Sequence, residues 1–327
     1  LPCEIDFPFR NQDRKGRRFL QDHFNSRQKP KNSNSQLPRV VASERSHPFE
    51  PGNTISHAHN SIGWRDTEHT LEKPDGVFRI IGLGDSYLWG QGVKREDICL
   101  NKLPALLETS LDGNTIETIN AGISAYNTVD QRQQFMNRAV RYNPDLVILH
   151  FVLNDVEQQS NHHGPKVEFF ASHASPGRPS DQLSELSCLW SWSRHRLLSY
   201  IQSEQYIREC VNSLADDHPG WLACKGALAD IKKTCDTKGV SFCVVVFPFY
   251  FRLNGDYPFQ PVHTAVVEHC KSLGIDVLDL REAYREFNGP ELWVHPTDEH
   301  PNEIAHEIAA QEIARYLLRH QKQLLRN

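Results

Sequence analysis

Gly84-Asp85-Ser86 closes an apolar, β-rich run from Phe78 to Leu83, which places a hydroxyl where a strand stops and the chain turns. Open α/β sheets bind ligands beyond the carboxyl ends of their strands, and a serine there becomes a nucleophile once a base comes within reach. The tripeptide alone is common in turns. Three later segments carry the remaining parts of such a reaction: Asn120-Ala121-Gly122, Asn154-Asp155 and Asp298-Glu299-His300-Pro301-Asn302. Each follows an apolar run or precedes a helical pattern, as loops gathered at one edge of a parallel sheet do.

In this order and at these separations the four segments resemble the SGNH (GDSL-type) hydrolase superfamily, over roughly residues 55–320. The resemblance implies a three-layer α/β/α, flavodoxin-like fold with a five-stranded parallel sheet in the order 2-1-3-4-5. It implies Ser86 as nucleophile and His300 as its base. It also implies three donors for the oxyanion: the backbone N–H of Ser86, the backbone N–H of Gly122 and the side-chain amide of Asn154. Glycine suits the second because a backbone donor can then approach closely with no Cβ in the way. An amide suits the third because it donates without titrating. The family's usual glycine two positions before this Asn is Val152 here.

The third triad member departs from the family, which commonly has Asp three residues before the histidine; that position is Thr297. Asp298 lies two residues before His300, a spacing that puts both side chains on one side of an extended chain. Asp298 is therefore expected to accept from the imidazole and hold its tautomer, the alternative being a backbone carbonyl in that role. Glu299 is expected to point the other way, into solvent. Asp85 and Asp155 are expected to brace loops.

The elements that must position these residues are read from periodicity. Residues 1–75 form an irregular, polar N-terminal extension with a short edge strand near Ile55, and 76–327 form the hydrolase domain. Asn60-x-x-Gly63-x-Arg65 resembles the family's segment ahead of the nucleophile strand. Strands are predicted at Val77–Leu83, Ile116–Ile119, Leu146–Val152, Val240–Phe247 and Ile275–Leu280, with a fully apolar third strand of the kind parallel sheets bury on both faces. Helices are predicted at Asn101–Leu111, with Leu103, Leu106, Leu107 and Leu111 inward, and at Thr128–Arg141, with Val129, Phe135, Met136, Ala139 and Val140 inward. A closing helix capped by Asn302 carries Ile304, Ile308, Ile313 and Leu317 as its stripe. Strands alternating with helices imply a parallel sheet with right-handed crossovers. Residues 156–236 read as an insertion between strands three and four, near the mouth of the site.

The chain has 327 residues and a formal net charge of −5, so no basic nucleic-acid footprint is expected. No run approaches the ~20 apolar residues of a membrane span. The first residue is Leu and the sole methionine is Met136. Removal of a signal or anchor, with an extracytoplasmic location, is one expectation from this, and trimming of the chain is another. Eight cysteines (Cys3, Cys99, Cys188, Cys210, Cys224, Cys235, Cys243 and Cys270) show no metal-ligand spacing. A disulfide among Cys188, Cys210, Cys224 and Cys235 is left open, and Cys243 is expected in the core.

These readings point to a serine hydrolase of carboxylic esters, its substrate a small-acyl ester of a carbohydrate or lipid, with no metal or organic cofactor. Acyl transfer to a sugar hydroxyl through the same acyl-enzyme is the alternative, and a non-catalytic carbohydrate-binding relative is a third reading. Trp89, Tyr126, Trp190, Trp192 and Phe249 are either a stacking surface for substrate or core. Oligomeric state is not legible.

Overall fold

The computed structural model describes residues 44–46, 54–107, 115–156, 203–295 and 298–325. The chain divides into two compact units. The larger comprises 38–45, 54–157 and 210–327; of the smaller, comprising 1–37, 46–53 and 158–209, only Ser46 and the helical residues 203–209 are described. The His162-His163 and Trp190-Ser191-Trp192 segments, Cys3 and Cys188 lie outside the described residues.

Five strands build the larger unit: β1 (Val77–Leu83), β2 (Thr115–Asn120), β3 (Leu146–Val152), β4 (Ser241–Phe247) and β5 (Asp276–Asp279). They pair in parallel in the order β2-β1-β3-β4-β5. All seven residues of β3 are buried, as a central strand covered on both faces requires. Each buried Val, Leu or Ile there contributes about 1.5–3 kcal/mol. The strand Thr54–Ser56 lies outside this sheet, not on its edge.

Helices α2 (Cys99–Leu107), α3 (Thr128–Asn137), α4 (Pro219–Lys238), α5 (Gln260–Ser272) and α6 (Glu303–Arg319) flank the sheet, α2 packing on α6 and α3 on α4. A four-residue helix, α1 (Ser86–Trp89), follows β1 directly. The hairpin of β6 (Trp293–His295) and β7 (Asp298–Pro301) precedes α6.

Three helical faces differ from their sequence reading. Leu106 of α2 is exposed. On α3 the buried residues are Thr128, Gln131, Gln134 and Phe135, while Val129 and Met136 are only half-buried. The polar face turns inward because Gln131 Nε2 donates to both oxygens of the buried Asp155 at 3.3 Å. On α6, Ile304 is 53% exposed and the packed face is built on Ala305, Ala309, Ala310, Ile313 and Leu317. Alanines let this helix lie close to its neighbours, so the small residues, rather than all of the isoleucines, mark the interface.

The disulfide left open by the sequence is not formed at Cys210, Cys224 or Cys235, which are all buried free thiols. Cys243 is likewise buried in β4.

Candidate active site

The nucleophile turn is set by its own residues. Asp85 caps α1, its carboxylate accepting from the Tyr87 N–H at 2.8 Å, and Gly90 ends the helix in the left-handed region at φ 79°. A Cβ on Gly84 would meet Leu88 Cβ at 2.7 Å and His150 Cβ at 3.2 Å, so the turn packs directly onto the central strand. Ser86 is the first residue of α1, where the N–H has no partner within the helix.

His300 reaches this serine from β7. Asn302 holds the end of that strand: its Oδ1 accepts from the Ala305 N–H at 3.0 Å, capping α6. Its Nδ2 donates to the carbonyls of Glu291 at 2.9 Å and Trp293 at 3.2 Å. His300 Nε2 lies 2.9 Å from Ser86 Oγ, and His300 Nδ1 lies 2.5 Å from Asp298 Oδ1. With Nδ1–H donating to the carboxylate, Nε2 is left to accept from the serine hydroxyl. Asp298 thus stands where a triad acid would, and among the described residues no backbone carbonyl accepts from Nδ1. Thr297 lies outside the described residues.

Asp298 and His300 shift each other's titration in opposite directions. Burial works to raise the Asp298 carboxyl, but the adjacent His300 charge and hydrogen bonds bring it below the usual carboxylate range. Burial likewise opposes protonation of His300, yet Asp298, then Asp85 and Glu299, raise it above an ordinary imidazole. Glu299 is not the solvated carboxylate expected from sequence. It is half-buried, and burial followed by the Asp298 charge pushes it up to about 7.

The oxyanion candidates separate. Asn154 is half-buried at the end of β3, with its amide beside the Asp85 carboxylate. Gly122, by contrast, already spends its N–H on Asn120 Oδ1 at 2.9 Å. A Cβ there would meet Trp89 N at 2.7 Å and Leu88 C at 2.9 Å, so this glycine lets the loop lie against the nucleophile helix. Asn120 completes the clamp by donating to the Leu88 carbonyl at 2.9 Å.

A few residues on, Ile123 N–H donates to Gly84 O at 3.0 Å and Tyr126 N–H to Ile123 O at 3.1 Å. Ala125 between them is exposed, at φ 65°, a conformation uncommon outside glycine. Among the described residues nothing accepts from its N–H. The backbone conformation that sets Ala125 apart has no signal in the sequence.

Asp85 and Asp155 are loop braces, as expected. Asp155 accepts from the Val152 N–H and from Gln131, and burial pushes both carboxyls upward, Asp155 further because of the Asp85 charge beside it. Arg65, of the Asn60-x-x-Gly63-x-Arg65 segment, is buried and donates to the carbonyls of Trp89 (3.0 Å), Gly90 and Val93 (2.6 Å). It thereby fastens the loop after the nucleophile. Trp89 is stacked on His57 with ring centroids 4.9 Å apart, and Phe249 packs edge-on to Phe259 at 5.4 Å; both are half-buried, as is Tyr126. Among the described residues no group of three His, Cys, Asp or Glu side chains is placed to hold a metal ion. None of the described helices is long and apolar enough to cross a membrane.

Residues 83–308 match the GDSL-like lipase/acylhydrolase family. The chain belongs to this family. It is an ester-hydrolysing enzyme with the α/β SGNH fold. No curated protein matches it in sequence. Among solved structures this hydrolase is similar to a catalytic mutant of Axe2, an acetylxylan esterase from Geobacillus stearothermophilus. The identity is 14%, over 73% of this chain and 94% of that one, with a TM-score of 0.46. It is similar to TesA at 11% identity, over 73% and 97% of the two chains, with a TM-score of 0.45. It is also similar to LAE5, an alpha/beta hydrolase enzyme from the metagenome of Lake Arreo, Spain, at 13% identity, over 76% and 96%, with a TM-score of 0.47.

Proposed function

We propose that this enzyme hydrolyses carboxylic esters through an acyl-enzyme on Ser86, and that its substrates are small-acyl esters of a carbohydrate or lipid. The observation that carries the reading is the hydrogen-bonded line Ser86 Oγ–His300–Asp298, at 2.9 and 2.5 Å. Ser86 Oγ attacks the ester carbonyl carbon while His300 Nε2 takes its proton, and Asp298 stabilises the imidazolium that forms. Collapse of the tetrahedral species breaks the ester C–O bond, and the leaving alkoxide takes the proton from His300. Water then attacks the acyl carbon, giving its proton to His300; the carboxylic acid departs and Ser86 regains its hydrogen.

The negative charge that develops on the carbonyl oxygen needs preorganised donors. The Ser86 N–H and the Asn154 amide serve here. The Gly122 N–H, the third candidate, is engaged by Asn120 Oδ1 in this structure. No residue in this line requires a cofactor for these steps.

A fluorophosphonate probe tests the nucleophile: it should label Ser86 alone, and Ser86→Ala should end turnover with an unchanged thermal midpoint. Labelling elsewhere, or wild-type rates in the variant, would overturn the assignment. A panel of nitrophenyl esters from acetate to palmitate, run beside acetylated polysaccharides, tests the substrate class. Rates that rise with chain length would contradict a small acyl group.

A further inference from the structure

We propose that Gln91 is a positioning residue for the triad: it fixes the Asp298 carboxylate relative to Ser86, and so sets the basicity of His300. This rests on the serine-hydrolase reading above and adds a residue to it.

Asp298 lies only two positions before His300, and its Oδ1 accepts twice from that one residue, from the backbone N–H at 3.2 Å and from Nδ1 at 2.5 Å. A carboxylate held through a single oxygen is free to rotate about its last bond and exchange oxygens. Gln91 removes that freedom, since its Nε2 donates to Asp298 Oδ2 at 3.2 Å. The two residues are 207 positions apart, so this bond ties the nucleophile loop to the histidine hairpin.

Gln91 is itself well anchored. It is 8% exposed, and its backbone N–H donates to the Ser86 carbonyl at 3.2 Å. One residue therefore touches the nucleophile through its backbone and the acid through its side chain. The flanking residues secure it further. The Arg65 guanidinium gathers the carbonyls of Trp89, Gly90 and Val93 around it. Gly92, at φ 81°, lies so close to Val294 of β6 that a Cβ there would meet its side chain at 2.8 Å. The loop and the hairpin are thus also in direct contact beside the Gln91–Asp298 bond.

An amide in this place has a defined chemical effect. It donates to the carboxylate without titrating, which favours the anion and shares its charge. Without that donor the carboxylate is more basic toward the imidazole and less well oriented. Loss of Gln91 should then raise the pKa of His300 while slowing proton transfer from Ser86.

The test compares wild type, Gln91→Leu and Gln91→Glu by kcat, KM, pH–rate profile and fluorophosphonate labelling. In Gln91→Leu we expect kcat to fall roughly tenfold to a hundredfold, as loss of a hydrogen bond to a charged group does. KM should stay within about twofold, labelling of Ser86 should slow in parallel, and the acidic limb should move upward. Gln91→Glu keeps the polar shape if leucine unsettles the loop. Its protonated carboxyl still donates to Oδ2, so activity should be near wild type at low pH and fall as the new group ionises, producing an alkaline limb that wild type lacks. A Gln91→Leu enzyme with unchanged kcat and acidic limb, or a Gln91→Glu profile identical to wild type, would overturn the proposal. Failure of wild type itself to label at Ser86 would instead overturn the serine-hydrolase reading.

Discussion

Asp298 Oδ1 stands 2.5 Å from His300 Nδ1, although only one residue separates the two on β7. The strand's alternation makes this contact: residues i and i+2 share a face. The shorter spacing therefore still delivers a carboxylate to the imidazole.

Replacing Asp298 by Asn should cut kcat by orders of magnitude, because the amide presents the wrong partner to Nδ1–H and the imidazolium loses its counter-charge. The pH dependence has a definite sign. Asp298 raises His300 against the lowering effect of burial, so the acidic limb of kcat/KM in the wild type should lie above the reference of ~6.5. In Asp298→Asn it should move to lower pH. A loss under about tenfold with an unmoved limb would leave a Ser86–His300 dyad.

Asn154→Ala should lower kcat by roughly a hundredfold or more, near ~3 kcal/mol of transition-state stabilisation. KM should change little, since the developing oxyanion is contacted more strongly than the ground-state carbonyl. Steady-state kinetics on a nitrophenyl ester reads the two apart. A raised KM at constant kcat would make Asn154 a ground-state binding residue.

Ala125→Gly should stabilise or leave unchanged the folded protein and retain activity. The residue sits at φ 65°, where a Cβ is strained by about 1 kcal/mol and glycine is not, although glycine also gives the unfolded chain more freedom. Ala125→Val at the same place should be destabilising and should slow turnover as the loop backbone shifts. Denaturant midpoints and kcat of the two variants check this; a valine variant indistinguishable from wild type would contradict it.

Acid should destabilise the protein through two histidines outside the triad. His150 and His306 are buried, and burial lowers both from the ordinary value to about 3. Their folded-state pKa lies below the unfolded one, so their contribution is fully present above pH ~6.5 and is lost as pH falls toward 3. Each should cost about 1.4 kcal/mol of stability per pH unit within that window. His150→Leu should flatten this slope in urea titrations between pH 7 and 4; an unchanged slope would mean that His150 is already charged in the fold.

Much of this enzyme was written in local pattern. The run Leu146–Val152 could be buried only as a central strand, Asn302 had the side chain to cap the last helix, and Ser86 fell at a strand end because β-rich residues stop at Gly84. Those features depend on neighbours in sequence, and periodicity and capping chemistry record them. Gly122 and Ala125 show where that record ends. Whether a backbone N–H is available depends on what has folded against it: Asn120 Oδ1 accepts from the Gly122 N–H, while among the described residues nothing accepts from the Ala125 N–H. Glu299, placed in solvent by alternation alone, is half-buried, and Gln131 faces inward only because Asp155 lies behind it. Gln91 and Asp298 meet across 207 residues. Local chemistry determined which elements form and which residues lie at their ends; hydrogen-bond partners and burial, which belong to pairs of distant segments, were decided only when the sheet brought those ends together.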